Sequence, residues 1–368
     1  QFRVRREHWM MEKMILNETP VRTARSFHIN NIELKDFTMP EIGKFENIQI
    51  HNCGKLARGI EIDQNAKLPK PSPSHSLSQE LTNQIELNAN SNLKIKVNVV
   101  AAETEPIMIN YNLDNKNPNL VNHISITADE NAKAKIYIVY RAQTEQNVLY
   151  HNGLIEVNLA KNSSMDLYLV NFLSDISYNL DCVDANLAEN SKFNLITVDL
   201  GGKYSITNYN VNLVKSGAEG TINTVYLGKK DQVFDINDIA SMSGEKTKVS
   251  INVQGALFDN AKKNFKGTID FRKGCKKAKG QEEEFCMLLS PKAVSRGLPM
   301  LLCTEEAVDG AHSSAAGKIE GDKLFYLMTR GISEEEARKL IIKARFQPIL
   351  QLIENEELKN EVLEKMQV

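Results

Sequence analysis

The 368-residue sequence predicts a mainly β chain, a right-handed parallel β-helix with a small α/β cap before it and a helical segment after it. Three observations carry this. From about residue 84 to 290, apolar and polar residues alternate in a texture rich in Val, Ile, Thr, Tyr and Asn, with no 3.6-residue period over helical lengths. Within that stretch a unit repeats. Glu130-Asn131-Ala132-Lys133-Ala134-Lys135-Ile136-Tyr137-Ile138 matches Lys161-Asn162-Ser163-Ser164-Met165-Asp166-Leu167-Tyr168-Leu169 and Glu189-Asn190-Ser191-Lys192-Phe193-Asn194-Leu195-Ile196-Thr197. Weaker copies start at Lys215 and Ser243, so successive starts lie 31, 28, 26 and 28 residues apart, the fourth copy needing a one-residue slip. Beyond the repeats the period switches to that of a helix.

Each copy has one grammar: a strand ending on Ala128, Leu159, Leu187, Leu213 or Ser241, a polar turn, and a second strand. Side chains alternate faces along a strand, so Ile155, Val157, Leu159, Met165, Leu167 and Leu169 should all point inward. Ile136, Leu167 and Leu195 should occupy equivalent inward positions. One such unit cannot bury its apolar face alone, so copies must stack, and a long period without helical crossovers is that of a β-solenoid. An antiparallel sandwich would give alternation too, but with hairpin signals every 8–12 residues and no fixed long period.

In chain order, residues 1–83 form the cap and a linker, with a short helix over residues 9–16 and strands near 31–34 and 48–50. The Pro/Ser-rich run at 69–78 reads as a linker or mobile loop. Residues 84–322 form the β-helix. Residues 323–368 form helices, begun by a capping box of Ser333 with Glu336 and carrying Ala337, Leu340, Ile341 and Ala344 on one face. Pro348 should end or kink this helix near Phe346. A second helix, from about Ile349 or Asn355 to Met366, carries Leu358, Val362 and Leu363. The two helices close one end of the solenoid or offer a face to a partner.

Composition narrows the function. A 42% hydrophobic and 25% charged chain with net charge −2 has no electrostatic footprint for nucleic acid or anionic membrane. The basic run from Arg272 to Lys279 lacks interleaved aromatics and reads as a solvated turn. Cys53, Cys182, Cys275, Cys286 and Cys303 are odd in number and widely spaced, which argues against a disulfide framework and a structural zinc and fits a reducing, cytoplasmic compartment. Residues 2–9 hold no uninterrupted apolar stretch of a secretory leader, no segment reaches the roughly 18 apolar residues of a membrane span, and the start at Gln1 suggests a trimmed sequence. Gly310 and Gly317-Lys318 do not make a phosphate loop, because six residues separate the glycines and Ile319 follows the lysine. Any ATP chemistry must therefore come from a partner.

Two segments point to a family. Val308-Asp309-Gly310-Ala311-His312-Ser313-Ser314-Ala315-Ala316-Gly317 sets one histidine among small residues. It is followed by Leu324-Phe325-Tyr326-Leu327-Met328-Thr329-Arg330-Gly331-Ile332-Ser333-Glu334-Glu335-Glu336-Ala337, which opens a helix. Together they resemble the SUF iron–sulfur cluster assembly scaffolds, the SufB/SufD family. Ser313 stands where the SufB branch carries a carboxylate, so the motif leans toward SufD, although Gly310 replaces the Cys of many SufD-like sequences. Gln281-Glu282-Glu283-Glu284-Phe285-Cys286-Met287-Leu288-Leu289-Ser290 resembles the family's strand that bears a functional cysteine in SufB, with Glu284 at that position and Cys286 two residues on.

The resemblance implies a scaffold subunit with no turnover of its own, which pairs with SufB or with itself and binds the ATPase SufC through its C-terminal helices, at Glu335 and Lys339 among others. It implies that His312, a competent iron ligand, helps hold a nascent iron–sulfur cluster with Glu284 or Cys286. The cluster would be transient, on the assembled complex, with none in the isolated chain. Without the resemblance, His312 reads more readily as a hydrogen-bonded structural residue than as a ligand, and Cys286 as a small buried hydrophobe. A homodimeric SufB-type scaffold is the alternative within the family. Outside it stand a polysaccharide-active β-helix enzyme, which needs paired carboxylates on a groove, and a purely structural solenoid.

Overall fold

The computed structural model describes residues 13–23, 27–51, 59–64, 66–99 and 106–367. The chain opens with β1 (Lys13–Leu16), β2 (Ile32–Lys35), β3 (Ile48–His51), β4 (Ile60–Asp63) and α1 (Gln79–Asn88). The solenoid then begins with β5 (Ser91–Val97), β6 (Ile107–Leu113), β7 (Asn119–Ala128), β8 (Lys133–Ala142), β9 (Tyr150–Leu159), β10 (Ser164–Phe172), β11 (Tyr178–Leu187) and β12 (Lys192–Asp199). It continues with β13 (Tyr204–Leu213), β14 (Glu219–Gly228), β15 (Val233–Met242), β16 (Lys248–Leu257), β17 (Lys262–Phe271), β18 (Lys279–Leu288), β19 (Val294–Cys303) and β20 (Asp309–Gly317). Helices α2 (Gly321–Thr329), α3 (Glu334–Leu350) and α4 (Glu356–Met366) complete it.

Every second strand pairs in parallel, giving two nine-stranded sheets that face each other across a lumen of eight coils. The even-numbered sheet runs β20 to β6 and ends on β3, and the odd-numbered one runs β19 to β5 and ends on β4. Leu167 pairs in register with Ile136 on one side and Leu195 on the other, and all three lie in the lumen core with Ile155, Val157, Leu159, Met165 and Leu169. The repeat's Asn has a conformational reason. Asn131, Asn162 and Asn190 turn the chain with φ of 62°, 58° and 55°, a left-handed backbone that Asn tolerates better than most residues. The next coils put Gly217, Lys246 and Lys277 in this slot, also at positive φ. The strand register therefore places the weak copies one residue after Lys215 and two after Ser243, and adds three coils that the sequence comparison missed, those of β6, β18 and β20.

Several expectations are corrected. Lys13–Leu16 is a strand, because Met14 and Leu16 alternate with exposed neighbours and bury themselves, which a helix would not allow; residues 9–12 lie outside the described residues. Residues 69–78 are tied to the solenoid rather than loose: Leu77 is buried, and Cys182 Sγ donates to the His75 carbonyl at 3.6 Å. With Met14, Leu16, Leu34, Leu81 and Ile85, Leu77 covers the outer face of the odd sheet. The C-terminal helices do not close an end. They lie along the outer face of the even sheet, where Ile342, Phe346, Ile349, Leu350, Leu358, Val362 and Met366 pack on Tyr137, Tyr168, Val170 and Val198. Helix α3 runs through Pro348 to Leu350, its final turn held down by Phe346, Ile349 and Leu350. Leu340 and Ala344 are exposed, since the packed stripe lies about one residue further round the helix than expected. The Ser333–Glu336 capping box forms as expected.

The two ends of the solenoid differ. At the first, β3 and β4 pair antiparallel with β6 and β5 and cover the sheet edges. At the second, among the described residues, nothing pairs with the outer edges of β19 and β20.

Candidate functional site

The open end is built from β17 to β20. In β18, Gly280, Glu282, Glu284 and Cys286 share one face by alternation, and that face is the lumen: a Cβ on Gly280 would touch Ile269 and Phe271. Strand β20 pairs with β18 so that Gly310 lies over Gly280, His312 over Glu282, Ser314 over Glu284 and Ala316 over Cys286. His312 therefore occupies an inward column, yet it is exposed because no coil follows. All of β20 is exposed except Gly317, which is half-buried.

Glu284 is committed elsewhere. Lys263, equally buried, donates to its Oε1 at 2.7 Å, and Ser314 donates to Oε2 at 2.7 Å. A Cβ on Gly297 would come within 2.1 Å of Ser314 Oγ and push that hydroxyl out of place. Cys286 is fully buried in the lumen core, where burial pushes its thiol up and disfavours the thiolate that binds metal. The structure thus brings His312, Glu284 and Cys286 onto one face of neighbouring strands, but only His312 is open. Cys303 is exposed, its thiol donating to the Glu305 carbonyl at 3.0 Å. Cys53 lies outside the described residues. Among the described residues no group of three or more His, Cys, Asp or Glu is arranged to hold a metal ion.

Sequence reading missed Lys263, Asp238 and Glu282. Burial pushes the carboxyls of Asp238 and Glu282 up to about 8, and Asp238 adds to the rise at Glu282. The signal was present in the run Glu282-Glu283-Glu284, where two acids two residues apart must share a face of a strand.

Glu335 and Lys339 are solvent-exposed on the first turns of α3, with Lys339 Nζ 3.1 Å from Glu335 Oε1. Helix α2, which the sequence left unresolved as an element, leaves Phe325, Tyr326 and Met328 exposed at 69%, 57% and 43%. Leu340, next to Lys339 on α3, is exposed at 46%. Among the described residues no helix is long and apolar enough to cross a membrane.

Comparison with known proteins agrees with this geometry. Residues 111–345 match the model of the SUF system FeS cluster assembly, SufBD core domain. The iron–sulfur cluster assembly protein SufD of Bacillus subtilis is 25% identical over 265 residues, 72% of this chain and 60% of that protein. An iron–sulfur cluster assembly SufBD family protein of Pyrococcus horikoshii is 29% identical over 62% of this chain and 51% of that protein. The chain thus spans between half and three-fifths of these relatives' lengths. With the core-domain match covering well over half of its residues, the coils from the end of β6 onward and the strand that carries His312, this chain belongs to the SufBD family of iron–sulfur cluster assembly proteins.

Proposed function

We propose that this protein is a SufD-like, non-catalytic scaffold subunit that pairs through its open end with a SufB-type subunit or a second copy of itself. The observation that carries this reading is the strand β20, whose outer edge is unpaired among the described residues and which is exposed along its length and bears His312. An uncovered parallel edge is a template for another strand, and Gly310, Ala311, Ser313 and Ser314 let a second backbone come close. Since no group of three or more metal-binding side chains is assembled among the described residues, the nascent cluster would be held between subunits, with His312 as one ligand and no resident metal. The exposed face of α2 and α3, with Glu335 and Lys339, is where a SufC-type ATPase would dock, and the complex would work in the cytoplasm.

His312→Ala tests the reading. The side chain is exposed, so the variant should fold as the wild type does and keep its partners. It should fail to restore cluster delivery in cells lacking the scaffold, with acid-labile sulfide on the purified complex falling at least tenfold. Full complementation would return His312 to a structural role.

A further inference from the structure

Among the described buried acids, Asp238 and Glu282 are the two whose carboxyl groups make no hydrogen bond at either oxygen. Asp238 is 0% and Glu282 1% exposed, and none of their four carboxyl oxygens has a hydrogen-bond partner. They converge on one place. Asp238 is the register neighbour of Gly267. The Glu282 side chain crosses the lumen to that same glycine, where a Cβ would lie 2.4 Å from its Cδ and its Oε1. The lumen cation Lys263 is occupied by Glu284 and by the Arg296 carbonyl at 3.2 Å. Lys266 lies on the opposite face of β17, paired with Asp235. Buried carboxylates without a counter-charge are costly enough that they either take up protons or hold a cation.

We propose that Asp238 and Glu282 form a binding site inside the solenoid for one divalent, oxygen-preferring cation. Two carboxylates cancel its charge, and water supplies the remaining positions that hard cations commonly leave to solvent. Gly267 is what leaves the space. Only the terminal coil of β19 and β20 separates the site from solvent, and His312 lies one strand above Glu282 in the same column. The proposal does not depend on the scaffold reading; if that reading holds, ferrous iron is the relevant ion.

The test is titration of the purified full chain with Mn2+, following free Mn2+ by electron paramagnetic resonance and the melting temperature in parallel. The wild type should bind one ion and melt higher with it, because a ligand of the folded state alone stabilises it. Asp238→Asn/Glu282→Gln keeps the shape and removes the charge, so it should fold, bind at least tenfold more weakly and show no shift. Each single variant reads the same loss should the pair perturb folding. His312→Ala should bind as the wild type does. Absence of binding by the wild type, undiminished binding by the carboxamide variants, or loss on His312→Ala alone would overturn the site. None of these outcomes bears on cluster delivery, so failure here and failure of the scaffold reading remain distinct.

Discussion

His151 shows how the lumen keeps a titratable group neutral. It is fully buried, its ring centroid 4.0 Å from that of Tyr140 and tilted by 34°, with Nδ1 2.7 Å from Asn179 Oδ1 and Nε2 2.8 Å from the Asn122 amide. Asn179 already donates its amide nitrogen to Ser205, so it accepts from Nδ1–H. Asn122 Nδ2, which has no other partner, satisfies Nε2 once that amide is turned about. Burial lowers the imidazole from 6.5 to about 4. As pH falls from 6.5 toward 4, the unfolded chain takes a proton that the folded one refuses, so this stability is present above 6.5 and lost on acidification. At about 1.4 kcal/mol per pKa unit the loss is about 3 kcal/mol. Asp199, pushed up to about 6, works oppositely: its contribution is complete below about 4 and lost as pH rises through 6. Urea unfolding from pH 7.5 to 4.5 should therefore show the wild type losing about 3 kcal/mol more than His151→Gln. Parallel pH profiles would contradict the neutral, buried imidazole.

At the scale of elements, alternation predicted the strands of the repeats, but its four-residue trace at Lys13–Leu16 was too short to read, and a helix was expected where the structure has a strand. It misjudged α3 because Leu340 and Ile341 are adjacent, and hydrophobicity alone does not say which of the two turns inward. The sheet beneath decides, taking Ile342 and Phe346 and leaving Leu340 to solvent. The N-terminal segment was least legible, because polar contacts pin it. Asn17, with φ 58°, donates to Asp235 Oδ1 at 2.7 Å and the Thr207 carbonyl at 2.9 Å, and its own carbonyl accepts from Lys266 at 2.7 Å. A buried Lys–Asp pair closed by a residue more than 200 positions away leaves no local trace in sequence. The exposed face of α2 and α3 carries its own prediction. Glu335→Lys with Lys339→Glu keeps the exposed pair, which contributes at most about 1 kcal/mol, and should leave folding intact. Either single reversal should weaken capture of a SufC-type ATPase severalfold, and capture at wild-type strength would place the ATPase elsewhere.

For the whole molecule, the repeat made the solenoid readable, because Ile136, Leu167 and Leu195 recur at one inward column. The asymmetry of its ends was not readable. It depends on β3 and β4 folding back to pair antiparallel with β6 and β5, a long-range choice, while β20 ends the stack uncovered. His312 was found through its motif, but its setting above Glu282, beside a Glu284 already bound to Lys263 and Ser314, follows only from the register. The central claim is that this open end is where the scaffold pairs. Backbone hydrogen exchange across Asp309–Gly317 tests it most directly, measured on the chain alone and after addition of a SufB-type subunit, or across a concentration series for self-pairing. The β20 amides should become at least tenfold slower to exchange in the complex, while those of β3 and β4 at the capped end stay unchanged. Stable complex formation with β20 exchanging as fast as in the free chain would contradict it.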